Sequence, residues 1–194
     1  MLKRNIILLI VMAGFFFKGK AQDTLFYDIK TALIYVGELQ VVQQTSADSS
    51  SYKLLARVNF LRKYHIDYVL ESTFKENILL HSLAYIRVNQ RYYHFCRVTL
   101  KNKMYEINRP EATNESYSQP ISSGISRLYF DDSIIGDSLF SEYAGIYKPF
   151  VKKAMDTYVL VDNSQPLEFV FANGHVVKVI VPNNIMDFVI VLRP

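Results

Sequence analysis

A chain of 194 residues, half of them hydrophobic, has the size of one domain and enough apolar mass for a real core, so no second domain is required. The formal charge of +4 invites an anionic partner, but Lys3, Arg4, Lys18 and Lys20 all fall within the first 21 residues, which hold no acid. With those four set apart from the 22 basic residues, 18 remain against 18 acids, and the only adjacent basic pairs are Arg62-Lys63 and Lys152-Lys153, which excludes a nucleic-acid footprint.

In chain order, the basic start is followed by the apolar run Ile6 to Phe17, shorter than the roughly 18 residues of a transmembrane helix. Gly19 and Ala21 are the small residues before a cut at Gln22. Residues 1–21 therefore read as a signal peptide, and residues 22–194 as one exported domain, periplasmic or secreted, with no transmembrane anchor after cleavage. No cysteine follows the apolar run to take a lipid.

Leu25 to Ile34 and Val36 to Gln44 read as a hairpin, with Thr45 to Ser51 as a loop. Period-two alternation then dominates. Tyr52, Leu54, Ala56, Val58 and Phe60 share one face; so do Ile66, Tyr68, Leu70, Ser72 and Phe74; so do Ile78, Leu80, Ser82, Ala84, Ile86 and Val88. Asn89-Gln90 turns the chain into Tyr92 to Leu100, whose alternate set Tyr92, His94, Cys96 and Val98 turns inward, and Asn102 turns it into Met104 to Asn108. The segment Arg109 to Pro149 interrupts the pattern, with Ile121, Ile125, Leu128 and Tyr129 at helical spacing. Thr157 to Val161, Leu167 to Ala172, Val176 to Val181 and Met186 to Leu192 are four more strands, punctuated by Asp162-Asn163, Asn173-Gly174 and Pro182-Asn183-Asn184. The fold class is mainly β: a single curved antiparallel sheet forming a half-barrel or barrel, with a short helix near residues 121–130. Val176 to Val181 and Phe188 to Leu192 are apolar on both faces, so both faces need cover.

Chemistry is sparse. His65, His81, His94 and His175 are scattered and offer no metal-ligand spacing. Asp131 to Glu142 has calcium-loop length with Gly136 sixth, but Ile135 and Ser133 stand where ligands belong, so no metal is expected. Ser126 lacks the second glycine of a nucleophile elbow, and Cys96 reads as a small inward hydrophobe. No cofactor and no enzymatic activity are expected. A hydrolase using the acidic loop, with Asp131, Asp132, Asp137 and Glu142, is a third reading. Inward small residues Ser72, Ser82 and Ala84 beside Tyr68, Tyr92 and His94 leave room for an acyl chain or other apolar guest, although close packing favours a filled core.

Pro120-Ile121-Ser122, Leu128-Tyr129-Phe130 and Phe140-Ser141-Glu142 with Gly145, together with Tyr27-Asp28, Val36-Gly37-Glu38 and Phe171 before Asn173-Gly174, resemble the exported bacterial domain-of-unknown-function family 6134. The resemblance implies a curved antiparallel sheet like those of periplasmic lipoprotein carriers and related envelope proteins, a half-barrel that shelters an apolar guest, and no catalytic residues. The absence of tryptophan departs from some apolar grooves. Two main readings stand: a non-enzymatic binding or carrier module for an apolar or lipid-like molecule, and an envelope interaction or assembly factor with a filled core and a protein partner.

Overall fold

The computed structural model describes residues 21–32, 34–60, 63–110, 112–162, 165–182 and 187–194, and the side chains of all but 112–115 among them. Residues 1–20 of the expected signal peptide 1–21 lie outside the described residues, as do Arg62, Asn163, Asn183, Asn184 and Met186 of the turns and strand predicted above.

Among the described residues fourteen strands form one antiparallel sheet: β1 (Ala21–Thr31), β2 (Ile34–Thr45), β3 (Ser49–Phe60), β4 (Tyr64–Lys75), β5 (Ile78–Val88), β6 (Arg91–Lys101), β7 (Met104–Arg109), β8 (Ala112–Tyr117), β9 (Ser138–Ser141), β10 (Ile146–Ala154), β11 (Thr157–Leu160), β12 (Leu167–Ala172), β13 (His175–Val181) and β14 (Phe188–Leu192). Their lateral order is β8 back to β1, then β14 back to β9. The first and last described strands therefore meet in mid-sheet, where Tyr27 to Thr31 pair with Leu192 to Phe188. Arg193 locks this seam from outside, bonding Asp28 at 2.6 Å and Glu38 at 3.2 Å and holding the Asp28 carboxyl below its ordinary range. The two edges, β8 and β9, are the two ends of a single connection. That connection carries one helical turn, α1 (Ile125–Leu128), and a 3₁₀ turn at Asp132–Ile134.

The hairpins turn where the sequence supplies residues that tolerate positive φ at both central positions. Asn89-Gln90, Asn102-Lys103, Asn173-Gly174 and also Glu76-Asn77 all take that conformation. β1 ends at Thr31 and β2 begins at Ile34, so Tyr35, read as lying between the two strands, belongs to β2. Register slips re-aim three strands. A slip opposite Thr73/Phe74 sends Leu79 inward instead of Leu80, and one between Ile86 and Arg87 sets Tyr92 opposite Arg87. A third slip, between Ile29 and Lys30, sets Ile29 opposite Gly37 and Lys30 opposite Tyr35. The interruption at 109–149 holds three strands, β8 to β10, besides the expected helix, which is a single turn.

The core has two clusters on the concave face. The larger joins Tyr27, Leu39, Val41, Leu54, Leu70, Phe150, Phe169 and Val179 to Ile125, Leu128, Tyr129 and Leu139 of the connection and β9. The smaller joins Tyr52, Phe74, Leu79, Cys96, Val98, Tyr105 and Ile107 to Ile121 and Phe140. Phe130 packs against both. The segment from Ile121 to Phe140 thus fills the trough of the curved sheet, and close packing there replaces the hydrogen bonds that would close a barrel. Tyr105 pins its start: the phenol donates to Leu79 O at 2.9 Å and accepts from Ile121 N at 3.2 Å, while Leu79 N donates to Ile121 O at 2.8 Å.

Gly37 is required by the approach of β3: a Cβ there would lie 2.1 Å from the Arg57 carbonyl oxygen and 2.8 Å from Val58 Cα, both backbone atoms. Gly37→Ala is expected to destabilise by about 3 kcal/mol or more, because the β2·β3 ladder must part to admit a methyl group. Urea unfolding checks this; a change below about 1 kcal/mol would contradict so close an approach.

Candidate functional site

A helix of one turn cannot hold itself together, since nucleation costs more than one turn returns. Its first N–H groups also need acceptors. Residue Gly124, at the N-cap of α1, has no side chain to offer. The acceptor comes from the turn after β9. Glu142 Oε2 accepts Ile125 N–H at 2.9 Å, and Oε1 accepts Ser126 N–H at 3.1 Å and the Ser126 hydroxyl at 2.6 Å. Gly124 leaves room for this: a Cβ would stand 2.5 Å from Oε1. The turn that presents Glu142 is built locally, with Ser141 O accepting from Ala144 N at 3.1 Å and from Gly145 N at 2.7 Å. Gly145 sits at φ +68, and a Cβ would meet Ile107 Cγ2 at 2.7 Å and Cys96 Sγ at 3.0 Å. Glycine is needed there on both counts.

The other end of α1 is held by Arg127. Its guanidinium donates to Ser122 O at 2.7 Å and Asp131 Oδ2 at 3.0 Å and lies over the Phe74 ring. Burial pulls the Asp131 carboxyl upward, but the bonds from Ser133 and Arg127 outweigh it and its pKa falls below the ordinary value.

Glu142 is fully buried. Desolvation raises its pKa above 4.5, against the lowering effect of the donors from Ser126 and Ile125. Burial likewise pushes the Tyr68 phenol well above its usual range, helped by the Glu142 charge, and the Cys96 thiol up to about 11. Ser72 Oγ lies 2.6 Å from Ser126 Oγ. Because the Ser126 proton goes to Glu142, Ser72 donates to Ser126, giving a buried relay of two hydroxyls into a carboxylate. Ser126 is itself 0% exposed, so this chain of bonds holds the helix and presents no nucleophile to solvent.

Five of the six residues expected to face a guest lie on the concave side, and they meet the protein's own chain. Ser72 bonds Ser126; Ala84 and Ser82 are buried; the Tyr68 ring lies 6.1 Å from that of Tyr143; His94 Nε2 is 2.9 Å from Tyr143 O, with the rings 4.1 Å apart. Tyr92 is the correction: the slip opposite Arg87 turns it to the outer face, 67% exposed, against Tyr85 at 5.5 Å. The motif residues Leu128, Tyr129, Phe130, Ser141, Glu142 and Gly145 all come together around α1. The acidic loop disperses: Asp131 serves Arg127, Asp132 lies near Gly174, Asp137 O accepts Phe150 N, and Glu142 turns inward. Among the described residues no group of three metal-ligating side chains converges. Sequence reading missed Gly124, Arg127 and the anchoring role of Ser126; an uncapped glycine before a helix pattern was the available signal. Two open clefts mark the outer face, about 410 Å³ along Ser51, Lys53, Glu71, Thr73 and His81, and about 360 Å³ along Tyr35, Glu38, Arg57 and Asn59, both lined with polar groups.

The sequence profile of the domain of unknown function DUF6134 matches residues 27–193. The chain belongs to the DUF6134 family. The match spans the seam, the α1 anchor and the Glu142 turn, so the DUF6134 domain is the whole described fold. A solved structure with a similar fold is the crystal structure of a β-barrel-like protein of the domain of unknown function DUF1849 from Brucella abortus, with 10% identity, a TM-score of 0.51, and coverage of 88% of this chain and 95% of that one. At that identity the likeness is one of fold alone. No functionally curated protein matches the sequence.

Glu142→Ala strands two N–H groups and a hydroxyl and is expected to cost about 3 kcal/mol. A carboxyl whose folded pKa is raised gives most stability while protonated and loses it as pH rises from 4.5 through the folded value. Glu142→Gln should therefore flatten the decline in urea stability expected as pH rises above 4.5, at the cost of one acceptor. An unchanged pH profile would contradict the buried carboxylate.

Proposed function

We propose that this chain is a non-enzymatic module of the bacterial cell envelope that works by binding another protein through the outside of its sheet. The observation that carries this reading is the filled trough: three of the residues suited to an apolar guest are engaged by segment 121–145, Ser72 by Ser126 and both Tyr68 and His94 by Tyr143. Carriage of a lipid-like molecule would require that segment to leave the concave face, breaking the bonds to Glu142. Envelope location rests on the basic, apolar start of the sequence, and a non-catalytic role on the inaccessibility of the Ser126 to Glu142 relay.

The outer face of β10 to β14 supports a protein partner. Val151 faces Val159 and Ile180 faces Val189 across neighbouring strands, all pointing away from the core, with Glu168 and Lys178 between them. Val151 is 51% exposed. An apolar surface broken by single charges has the composition of a protein interface. It also answers the two-faced apolar strands of the sequence.

Native mass spectrometry with solvent extraction, on residues 22–194 exported and purified without detergent after crosslinking, tests the reading. The expected result is a homodimer or a defined complex that is lost in Val151→Asp with Val189→Asp, and no extracted lipid. A stoichiometric lipid released by solvent would overturn it in favour of carriage.

A further inference from the structure

The ends of the sheet differ. The tips of the β1·β2, β3·β4 and β5·β6 hairpins lie side by side, as the pairings Gly37 with Val58 and Ile66 with Val88 require. The second and third tips are tied by Asn89 N to His65 O at 2.8 Å and by His65 N to Asn89 Oδ1 at 2.9 Å. Across six strands this row is about 24 Å wide. It carries Ile34, 66% exposed, Tyr35, Tyr64, Tyr92 and Tyr93, the last 80% exposed. These are five of the eleven exposed large apolar side chains among the described residues, on three turns. In sequence, residues 31–35, 60–65 and 88–93 hold Arg62, Lys63 and Arg91 and no acid. Lys63 and Arg91 are exposed, and Lys63 Nζ sits over the Tyr64 ring at 5.7 Å.

The opposite end is polar. Its turns carry Asp48 paired with Lys75, Lys101 paired with Glu106, and Asn102-Lys103, with Met104 and, in the β10·β11 turn, Met155 as exposed large apolar side chains among the described residues. The outer face of β3 to β5 bears Lys53, Arg57, Asp67, Glu71 and Arg87, where a membrane-spanning barrel presents an apolar band. A lipid contact of this half of the sheet is therefore made by its end and not by its wall.

We infer that the tyrosine-rich, basic end formed by Ile34, Tyr35, Lys63, Tyr64, Arg91, Tyr92 and Tyr93 docks on an anionic phospholipid surface. Tyrosine favours the membrane boundary, where its ring is sheltered and its hydroxyl stays wet. Lys63 and Arg91, on turns whose sequence holds no acid, complement an anionic leaflet, and each contributes roughly fivefold in affinity. Neither chemistry suits the polar end. This inference does not depend on the protein-partner reading: it concerns another surface and uses purified components.

The chain has no tryptophan, so Tyr93→Trp places a single reporter on the tip and Met104→Trp one on the polar end. Each variant of residues 22–194 is titrated with vesicles of phosphatidylcholine alone and of phosphatidylcholine with one third phosphatidylglycerol. The expected result is a blue shift of Trp emission for Tyr93→Trp with the anionic vesicles only. High salt should reverse it, and adding Lys63→Glu and Arg91→Glu should weaken it about thirtyfold or more. Met104→Trp should not shift. No shift at Tyr93→Trp, equal shifts at both ends, or equal binding to neutral vesicles would overturn the inference; circular dichroism of each variant excludes misfolding as the cause.

Discussion

The fold turns on a carboxylate placed where no water reaches. Glu142 accepts three hydrogen bonds from Ile125 and Ser126 and so supplies the cap that Gly124 cannot. Without it, one helical turn and the segment around it would have unsatisfied donors in an apolar trough, each costing about 1 to 3 kcal/mol. Desolvation works against the charge, and the donors offset that penalty in part. A site of this kind is held by geometry: glycine on one side at Gly124, glycine on the other at Gly145, and a turn closed on Ser141 O.

From that anchor follows the architecture. A sheet whose order places β8 and β9 at opposite edges has two unpaired borders, which are hazards for aggregation. Here both borders belong to one connection, and that connection turns inward. Ile121 and Phe140 pack with one half of the sheet, Ile125, Leu128 and Leu139 with the other. The first and last described strands, paired in mid-sheet and clamped by Arg193, join the halves on the outer side. The same filled interior that stabilises the domain leaves the proposed recognition to its outside, where a valine-rich wall and a tyrosine-rich end face solvent with different chemistry.

Much of the sheet was legible. Alternation in Tyr52 to Phe60 and Ile66 to Phe74 read the right faces because one side of each strand is buried, which fixes side-chain direction with period two. The Asn-containing turns were legible because positive φ is a local demand. What escaped is non-local. Tyr92 was misplaced because a one-residue slip opposite Arg87 depends on the neighbouring strand. β8 to β10 were hidden because Ala112–Tyr117 is largely polar, Ser138–Ser141 is only four residues long and Pro149 interrupts Ile146–Ala154. Glu142 itself was noticed as a motif residue, yet its role as a cap was not, since capping rules look within a few residues of the helix and this cap comes from the turn after β9.

The central claim is that segment 121–145 is part of the core and not a loop laid over an empty trough. Native-state hydrogen exchange at the Ile125 and Ser126 amides tests it most directly, because both N–H groups end on Glu142. Protection equal to that of the central β3 and β4 amides, lost only on global unfolding, is the result the account expects. Exchange at those two amides on the timescale of exposed turns, with β3 and β4 still protected, would contradict it.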